Sequence, residues 1–491
     1  MDEKKLAKNT VFYTFALASQ KVLAFFYFII LARGIGVENT GRFTLALSFS
    51  TIFSMVLDFG LTQVLIRETA KNKEQGDKYL GNILGIKIVA SFVIYLAIVV
   101  LANLMNYPEV TKNLIYVTGL VMIFDSYALS VYGTIRGRQN LFYESIGTII
   151  NQTIVLIFGS IFIFLKADLN LIMSAYLWAS LANFAWSVYK LKKRYQVSIN
   201  LRLDFKVIKY LLILSLPFAL AGIFTRIFSS ADIILLSKLK TDYDVGVYSV
   251  AFRVAFALQF VALAFSATIY PAFSYYFVHQ KEKLADVFTK SIYWLAFLAL
   301  PLTFGVIAVS DQAIFMVFGE EYLLSVGPLN ILMLSLFFVF LSFPVGAMLN
   351  ACGRQSRNTF NLFIVSIFSI TLNLILIPIF GYYGTAWVNF LSYFLLFLLG
   401  LIPVGSIVEY NKKELVWSFI KIFIACMIMY WPVVIIKNEI HFSVAIVAGV
   451  LIYFSSAYVF KLFSIETIKD LLKEFRPSKP ITVISANDKQ L

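Results

Sequence analysis

The sequence predicts an all-α integral membrane protein with about fourteen transmembrane helices, and three observations support this prediction. Of the 491 residues, 60% are hydrophobic and 14% are charged, and the mean hydropathy is +0.83. Apolar residues surround the candidate helices on all sides, which is the pattern of segments that face lipid. Long apolar runs alternate with short loops that carry most of the Lys and Arg residues. A water-soluble fold is excluded, because such a fold could not bury this much apolar surface.

The formal net charge of +14 does not indicate a nucleic-acid partner, since the cations are spread over short loops between apolar runs. No small-residue cleavage site follows the N-terminal charges, so the first span is expected to be retained. The two cysteines, Cys352 and Cys426, and the two histidines, His279 and His441, are far apart in the sequence. We therefore expect no metal site, no disulfide framework and no cofactor.

A helix needs about 20 mostly apolar residues to cross a bilayer. The first half of the chain has six such runs, at 8–32, 42–66, 79–104, 112–135, 141–165 and 168–190. The second half has eight, at 206–236, 245–278, 287–310, 325–350, 357–380, 382–408, 415–436 and 441–462.

The loops predict the orientation. The richest Lys and Arg clusters follow the second, fourth and sixth spans, at 67–78, 136–138 and 190–202, while the alternate loops carry few cations. Because cytoplasmic loops are enriched in Lys and Arg, both termini are expected in the cytoplasm of a multi-pass cell-membrane protein.

Internal similarity predicts two repeats. LARGIGVENTGRFTLA after the first span matches LSKLKTDYDVGVYSVA after the seventh, with Leu31 to Gly41 and Leu236 to Gly246 at the same separation. We therefore predict an N-terminal six-helix lobe at 1–203, a C-terminal six-helix lobe at 204–408 and two further spans at 409–463. The cytoplasmic tail at 464–491 begins with a short amphipathic pattern.

Three stretches also resemble a known family: GRFTLALSFSTIFSMVLDFGLTQVLIRETAK, YGTIRGRQNLFYES and ADIILLSKLKTDYDVGVYSVAFRV. They are similar to the Wzx-type polysaccharide flippases of the multidrug/oligosaccharidyl-lipid/polysaccharide (MOP) exporter superfamily, and the resemblance covers residues 10–408. It implies a MATE-like fold of two lobes around a central cavity. It also implies alternating access for a polyprenyl-diphosphate- or dolichyl-linked oligosaccharide, with membrane lipids and polysaccharide assembly enzymes as partners.

The strongest candidate site residues are Lys21 and Arg226. Each lies ten residues before a repeat anchor, Leu31 or Leu236, so the two cations hold equivalent places in the first and seventh spans. A charge at the bilayer centre costs about 2.5–3.5 kcal/mol and needs compensation, which the diphosphate of a substrate would supply. The alternative is a pair of structural cations satisfied by carbonyls or acids.

Five further ionisable residues lie within or near spans. Arg253 and Lys87 are the other candidate cavity cations for substrate binding. Asp58, Asp125 and Asp232 are either counter-ions for these cations or sites of Na⁺ or proton coupling.

Two other functions remain open from the sequence. A cation-coupled multidrug exporter of the same superfamily would share the fold, but a cavity for cationic drugs favours acids, and the first span carries Lys21. A membrane glycan polymerase or ligase would need a large external loop with catalytic groups, and the outward loops are short. We therefore expect a transporter and not an enzyme.

Overall fold

The computed structural model describes residues 3–410, 412–439 and 441–463, with side chains from residue 12 onward. The first half of the described chain comprises α1 (Glu3–Asp58), α2 (Leu61–Lys71), α3 (Lys73–Leu104), α4 (Glu109–Gly137), α5 (Phe142–Phe164) and α6 (Leu169–Tyr195). The second half comprises α7 (Phe205–Leu239), α8 (Asp242–Ala257), α9 (Gln259–His279), α10 (Lys281–Phe318), the 3₁₀ helix η1 (Glu320–Ser325), α11 (Val326–Ala351), α12 (Gln355–Phe380) and α13 (Tyr382–Gly405). Two helices follow, α14 (Lys412–Ile436) and α15 (Phe442–Val459).

Helix α1 contains two membrane crossings. Its 56 residues would extend about 84 Å at 1.5 Å per residue, far more than the roughly 30 Å of a hydrocarbon core. Gly36 interrupts it with φ 76° and ψ 173°, a conformation that glycine adopts without a Cβ clash. Thirteen helical segments of the described chain are long and apolar enough to cross a membrane, and the break in the first gives fourteen crossings. The predicted all-α fold class is confirmed.

One predicted boundary is wrong. The second span was expected to run to Ile66, but α1 ends at Asp58 and α2 is a separate, amphipathic helix. Phe59 and Gly60 both have positive φ, 47° and 70°, and these two residues turn the chain. The apolar sequence continues through the turn, so hydropathy alone could not reveal it.

The helices of the first half pack mainly on one another, as do α7–α13 of the second half. The two halves meet mainly where α1 packs against α7 and α8, and α2 and α3 add smaller contacts with α7. Helices α14 and α15 pack on α10 at the outside of the second half. The exact lobe boundary at 203/204 stays a prediction, and the tail at 464–491 lies outside the described residues.

The segment that joins the two halves lies along α3. The backbone N–H of Arg202 donates to the Gly81 carbonyl (3.3 Å), and the N–H of Asp204 donates to Asn82 Oδ1 (2.8 Å). A Cβ on Gly81 would lie 2.2 Å from the Asn200 carbonyl oxygen, so the close approach requires glycine there. The linker is therefore held against the first half over most of its length.

Candidate functional site

Lys21 of the first half has two arginines of the second half nearby. Lys21 lies on α1, Arg226 on α7 and Arg253 on α8. Both arginines are close enough to repel the Lys21 ammonium electrostatically. Lys21 and Arg226 are exposed in the middle of apolar spans, and Arg253 is half-buried. The first and second halves thus both contribute positive charge to one region.

None of the three cations has a carboxylate partner in the part of the chain that the structure describes. Arg253 is held by aromatic side chains of the other half instead. Its Cζ lies 5.0 Å from the centre of the Phe28 ring, and Tyr176 on α6 is close enough to interact with it electrostatically. The region therefore carries positive charge that these residues do not neutralise, which favours an anionic ligand.

Lys87 has a different environment from these three cations. Its side chain has no exposed surface, and its Nζ donates to Asp58 Oδ1 at 2.8 Å, Ser126 Oγ at 2.9 Å and Ser130 Oγ at 2.7 Å. Asp58 also accepts a hydrogen bond from the Thr62 hydroxyl. The structure thus pairs Lys87 with Asp58 inside the first half, and this geometry does not support the expected contact between Lys87 and a substrate.

Asp232 lies in a buried polar group of the second half. Tyr248 donates its hydroxyl to Asp232 Oδ2 at 2.8 Å, and the Asn389 side chain lies close to the Tyr248 hydroxyl. Asn389 Oδ1 is buried without a partner, as is Asn373 Oδ1 on the neighbouring helix α12. No Lys or Arg of the described residues forms an ion pair with Asp232. Its expected role as a counter-ion for a side chain has no support in this arrangement.

Asp125 lies in the middle of α4 with an exposed side chain. Ser180 on α6 donates its hydroxyl to Asp125 Oδ1 at 2.6 Å. Within the described chain no cation pairs with Asp125, so it does not neutralise Lys21, Arg226 or Arg253. The alternative from the sequence, a site of ion coupling, stays a prediction.

Sequence reasoning missed Phe28, Tyr176, Tyr248, Asn373 and Asn389. The two asparagines carried a usable signal, because a carboxamide inside an apolar span needs a hydrogen-bond partner or a ligand. Phe28, Tyr176 and Tyr248 carried none, since aromatic residues occur throughout these spans and their contacts depend on how the helices pack.

Two helical halves with exposed charges between them define a polytopic membrane transporter. A family model described as "Polysaccharide biosynthesis protein" matches residues 6–277, and the chain belongs to this family. A second model, MatE, matches residues 217–379. The predicted resemblance to Wzx-type flippases of the MOP superfamily is confirmed.

Two relatives have low sequence identity to this chain but align with it over most of their length. A probable low-salt glycan biosynthesis flippase, Agl15, of Haloferax volcanii is 22% identical over 90% of this chain and 93% of its own length. A putative O-antigen transporter of Shigella flexneri is 21% identical over 71% of this chain and 86% of its own length.

Solved structures share the fold. The lipid II flippase MurJ in an inward closed conformation matches with a TM-score of 0.76 and 17% identity, over 94% of this chain and all of that one. A multidrug resistance MATE family transporter in an inward-facing conformation matches with a TM-score of 0.64 and 15% identity, over 79% of this chain and 95% of that one. Both fit the two-lobe MOP architecture predicted from the sequence.

Proposed function

We propose that this protein moves a polyprenyl-(di)phosphate-linked oligosaccharide from the cytoplasmic to the outer leaflet by alternating access, for the assembly of a surface polysaccharide or glycan. Lys21, Arg226 and Arg253 bind the phosphate groups, and the glycan occupies the space between the halves. The family and the two flippase and transporter relatives support this cargo.

One observation carries the proposal: three cations from both halves share a region and have no carboxylate partner among the described side chains. Lys87 provides the comparison within the same protein, because its charge is neutralised by Asp58 at 2.8 Å. A phosphate-bearing ligand would neutralise the three cations, as Asp58 neutralises Lys87.

The test is a flipping assay in proteoliposomes that contain a lipid-linked oligosaccharide with a diphosphate linkage. Lys21→Ala and Arg226→Ala are each expected to reduce the flipping rate by about tenfold or more, since a charged hydrogen bond contributes about 1.5–3 kcal/mol. Lys112→Ala is the matched control. Lys112 is paired with Glu109 at 2.9 Å at the start of α4, away from Lys21, Arg226 and Arg253. An unchanged flipping rate in both variants would show that Lys21 and Arg226 do not bind the substrate.

The proposed cycle is driven by a monovalent cation or a proton at Asp232. Asp232 and the unpartnered oxygens of Asn389 and Asn373 are ligand types suited to a hard cation. A single carboxylate that has no Lys or Arg partner would gain charge neutrality from either ion.

Export of cationic drugs is the second candidate function, because the MatE model and a MATE transporter structure match part of the chain. Lys21, Arg226 and Arg253 oppose it, since their positive charges would repel a positively charged drug. The flipping assay separates the two functions when a cationic dye is offered in place of the lipid-linked oligosaccharide.

The proposed direction of transport depends on the orientation, with both termini in the cytoplasm. The Lys and Arg distribution of the loops supports it. A protease-accessible tag at either end, tested in sealed right-side-out and inverted vesicles, distinguishes this orientation from its inverse.

A further inference from the structure

Gly41 and Gly246 form a reciprocal contact between the two halves. A Cβ on Gly41 would lie 1.8 Å from the Asp242 carbonyl oxygen, and a Cβ on Gly246 would lie 2.0 Å from the Val37 carbonyl oxygen. Val37 and Asp242 each precede their glycine by four residues, and the glycines are equivalent in the two repeats. Helices α1 and α8 therefore cross with their backbones in contact, and an approximate two-fold axis relates the two sides of the crossing.

The crossing carries an ion pair on one side only. Arg42 Nε lies 3.0 Å from Asp242 Oδ2, and the same guanidinium also pairs with Glu38 on its own helix. The repeat-equivalent positions on the other side of the axis are Val247 and Val37, and both are buried. Among the described residues, the ion pair that joins the halves at this crossing is Arg42–Asp242.

Other contacts join the halves at the same end of the molecule. Arg33 Nε donates to the Val317 carbonyl at 2.8 Å, at the C-terminal end of α10. The Tyr322 hydroxyl donates to the Ala32 carbonyl at 2.9 Å, and the hydroxyls of Tyr107 and Ser237 are 3.1 Å apart. This end is closed, and the loop cations predict that it faces outward.

The contacts of α9 differ from those of α8, which precedes it in the same span. Helix α8 packs against α1 across the gap between the halves, whereas α9 packs against α8, α10 and α11 of its own half. Lys21 and Arg226 are exposed, although α1 and α7 are also in contact where Gly222 lies against Met55. The region of the three cations is therefore more open than the Gly41–Gly246 end.

We infer that the Gly41–Gly246 crossing is the outer gate of the transport cycle proposed above, and that the Arg42–Asp242 pair is its latch. The gate closes the region of Lys21, Arg226 and Arg253 toward the outside and opens when α1 and α8 separate. Because the glycines meet without interlocking side chains, the two surfaces can part as rigid bodies. The ion pair then sets how often they part.

The gate can be tested by labelling a cysteine behind it. Ser48 is 8% exposed and lies about two turns beyond Gly41 on α1. Ser48→Cys is placed in a Cys352→Ser, Cys426→Ser background and treated with a membrane-impermeant maleimide from each side in turn. Asp242→Asn and Arg42→Gln are expected to raise the rate of labelling from the outer side by about tenfold, because the open population grows.

Two further variants complete the experiment. The charge exchange Arg42→Asp with Asp242→Arg restores the attraction and is expected to return labelling toward that of the parent. Lys437→Gln is the matched control, because Lys437 pairs with Asp311 at 2.7 Å without joining the two halves. Its labelling should equal that of the parent.

An unchanged labelling rate in Asp242→Asn and Arg42→Gln, with both proteins monodisperse, would contradict the gate. The crossing would then be a permanent contact between α1 and α8. The labelling assay needs no substrate, so it is independent of the proposed cargo. If these variants label faster but the parent does not flip a lipid-linked oligosaccharide, the gate is supported and the proposed function is rejected.

Discussion

Lys87 and Asp58 form an ion pair inside the first half of the protein, with 2.8 Å between Nζ and Oδ1. The pair joins α3 to the end of α1, directly before the turn at Phe59 and Gly60. It lies in the same half as Lys21, which is exposed and has no carboxylate partner within the described chain. Two lysines of one half thus have opposite environments, one structural and one open to a ligand.

Removal of one member of the buried pair should destabilise the protein strongly. Lys87→Met leaves the Asp58 carboxylate unpaired, and such losses are about 3–5 kcal/mol. The double variant Lys87→Met, Asp58→Leu should be more stable than Lys87→Met alone. Thermal unfolding in detergent measures both, with Lys290→Met as the control, since Lys290 and Asp286 form an exposed pair. Equal melting temperatures for Lys87→Met and its parent would contradict the structural role.

Loss of the Arg253 charge should weaken substrate binding more than loss of its aromatic support. Arg253→Gln is expected to raise the apparent KM for the lipid-linked oligosaccharide by about tenfold or more. Phe28→Leu removes the ring 5.0 Å from the guanidinium and should raise KM by about two- to fivefold. Arg253→Lys keeps the charge and is the matched control. A KM in Arg253→Gln equal to that of the parent would exclude Arg253 from the phosphate site.

Ion dependence of flipping should disappear in Asp232→Asn. The substitution keeps the shape of the side chain and its contact with Tyr248, which is 2.8 Å away, but removes the negative charge. Flipping would be measured with an imposed Na⁺ gradient and, separately, with an imposed pH gradient. The parent should respond to one of them by about fivefold or more, within the usual range of coupling energies, and Asp232→Asn to neither. Asp311→Asn removes a different carboxylate and is the control. If Asp232→Asn still responds to the gradient, Asp232 is not the ion-coupling site.

The turn after Asp58 should not tolerate a side chain. Gly60 has φ 70°, and a Cβ there would lie 2.8 Å from Phe218 Cβ and 2.9 Å from the Ser215 carbonyl oxygen on α7. Gly60→Ala is expected to lower stability by about 1–3 kcal/mol, measured as a decrease in melting temperature. Gly305→Ala is the control, because the nearest atom to its Cβ is Met429 Cε at 3.8 Å. A stable Gly60→Ala would mean that the turn can relax away from α7.

Much of the fold was predictable from the sequence, because the length of an apolar run directly limits what can cross a bilayer. The count of fourteen crossings followed from that rule, and the equivalence of Lys21 with Arg226 followed from the repeat anchors. The end of the second crossing did not follow, since the chain turns at Phe59 and Gly60 within an apolar stretch. Backbone torsion angles there depend on the fit against α7.

Less of the candidate site was predictable. The sequence marked Lys87 and Asp58 as charged residues in spans, but 29 positions separate them, and only helix packing brings them together. The contact of Arg253 with Phe28 likewise joins different halves. Equivalence of Gly41 and Gly246 was readable from the repeats, whereas their mutual contact depends on how the repeats associate.

The linker along α3 limits how the halves can move. Its carbonyls lie against Gly81 and Gly85, and Asp204 is fixed to Asn82 just before α7 begins. The effective joint is therefore at the start of α7 and not spread over a loose loop. When the second half moves relative to the first, the chain therefore changes direction at the start of α7, because the segment before it is bonded to α3.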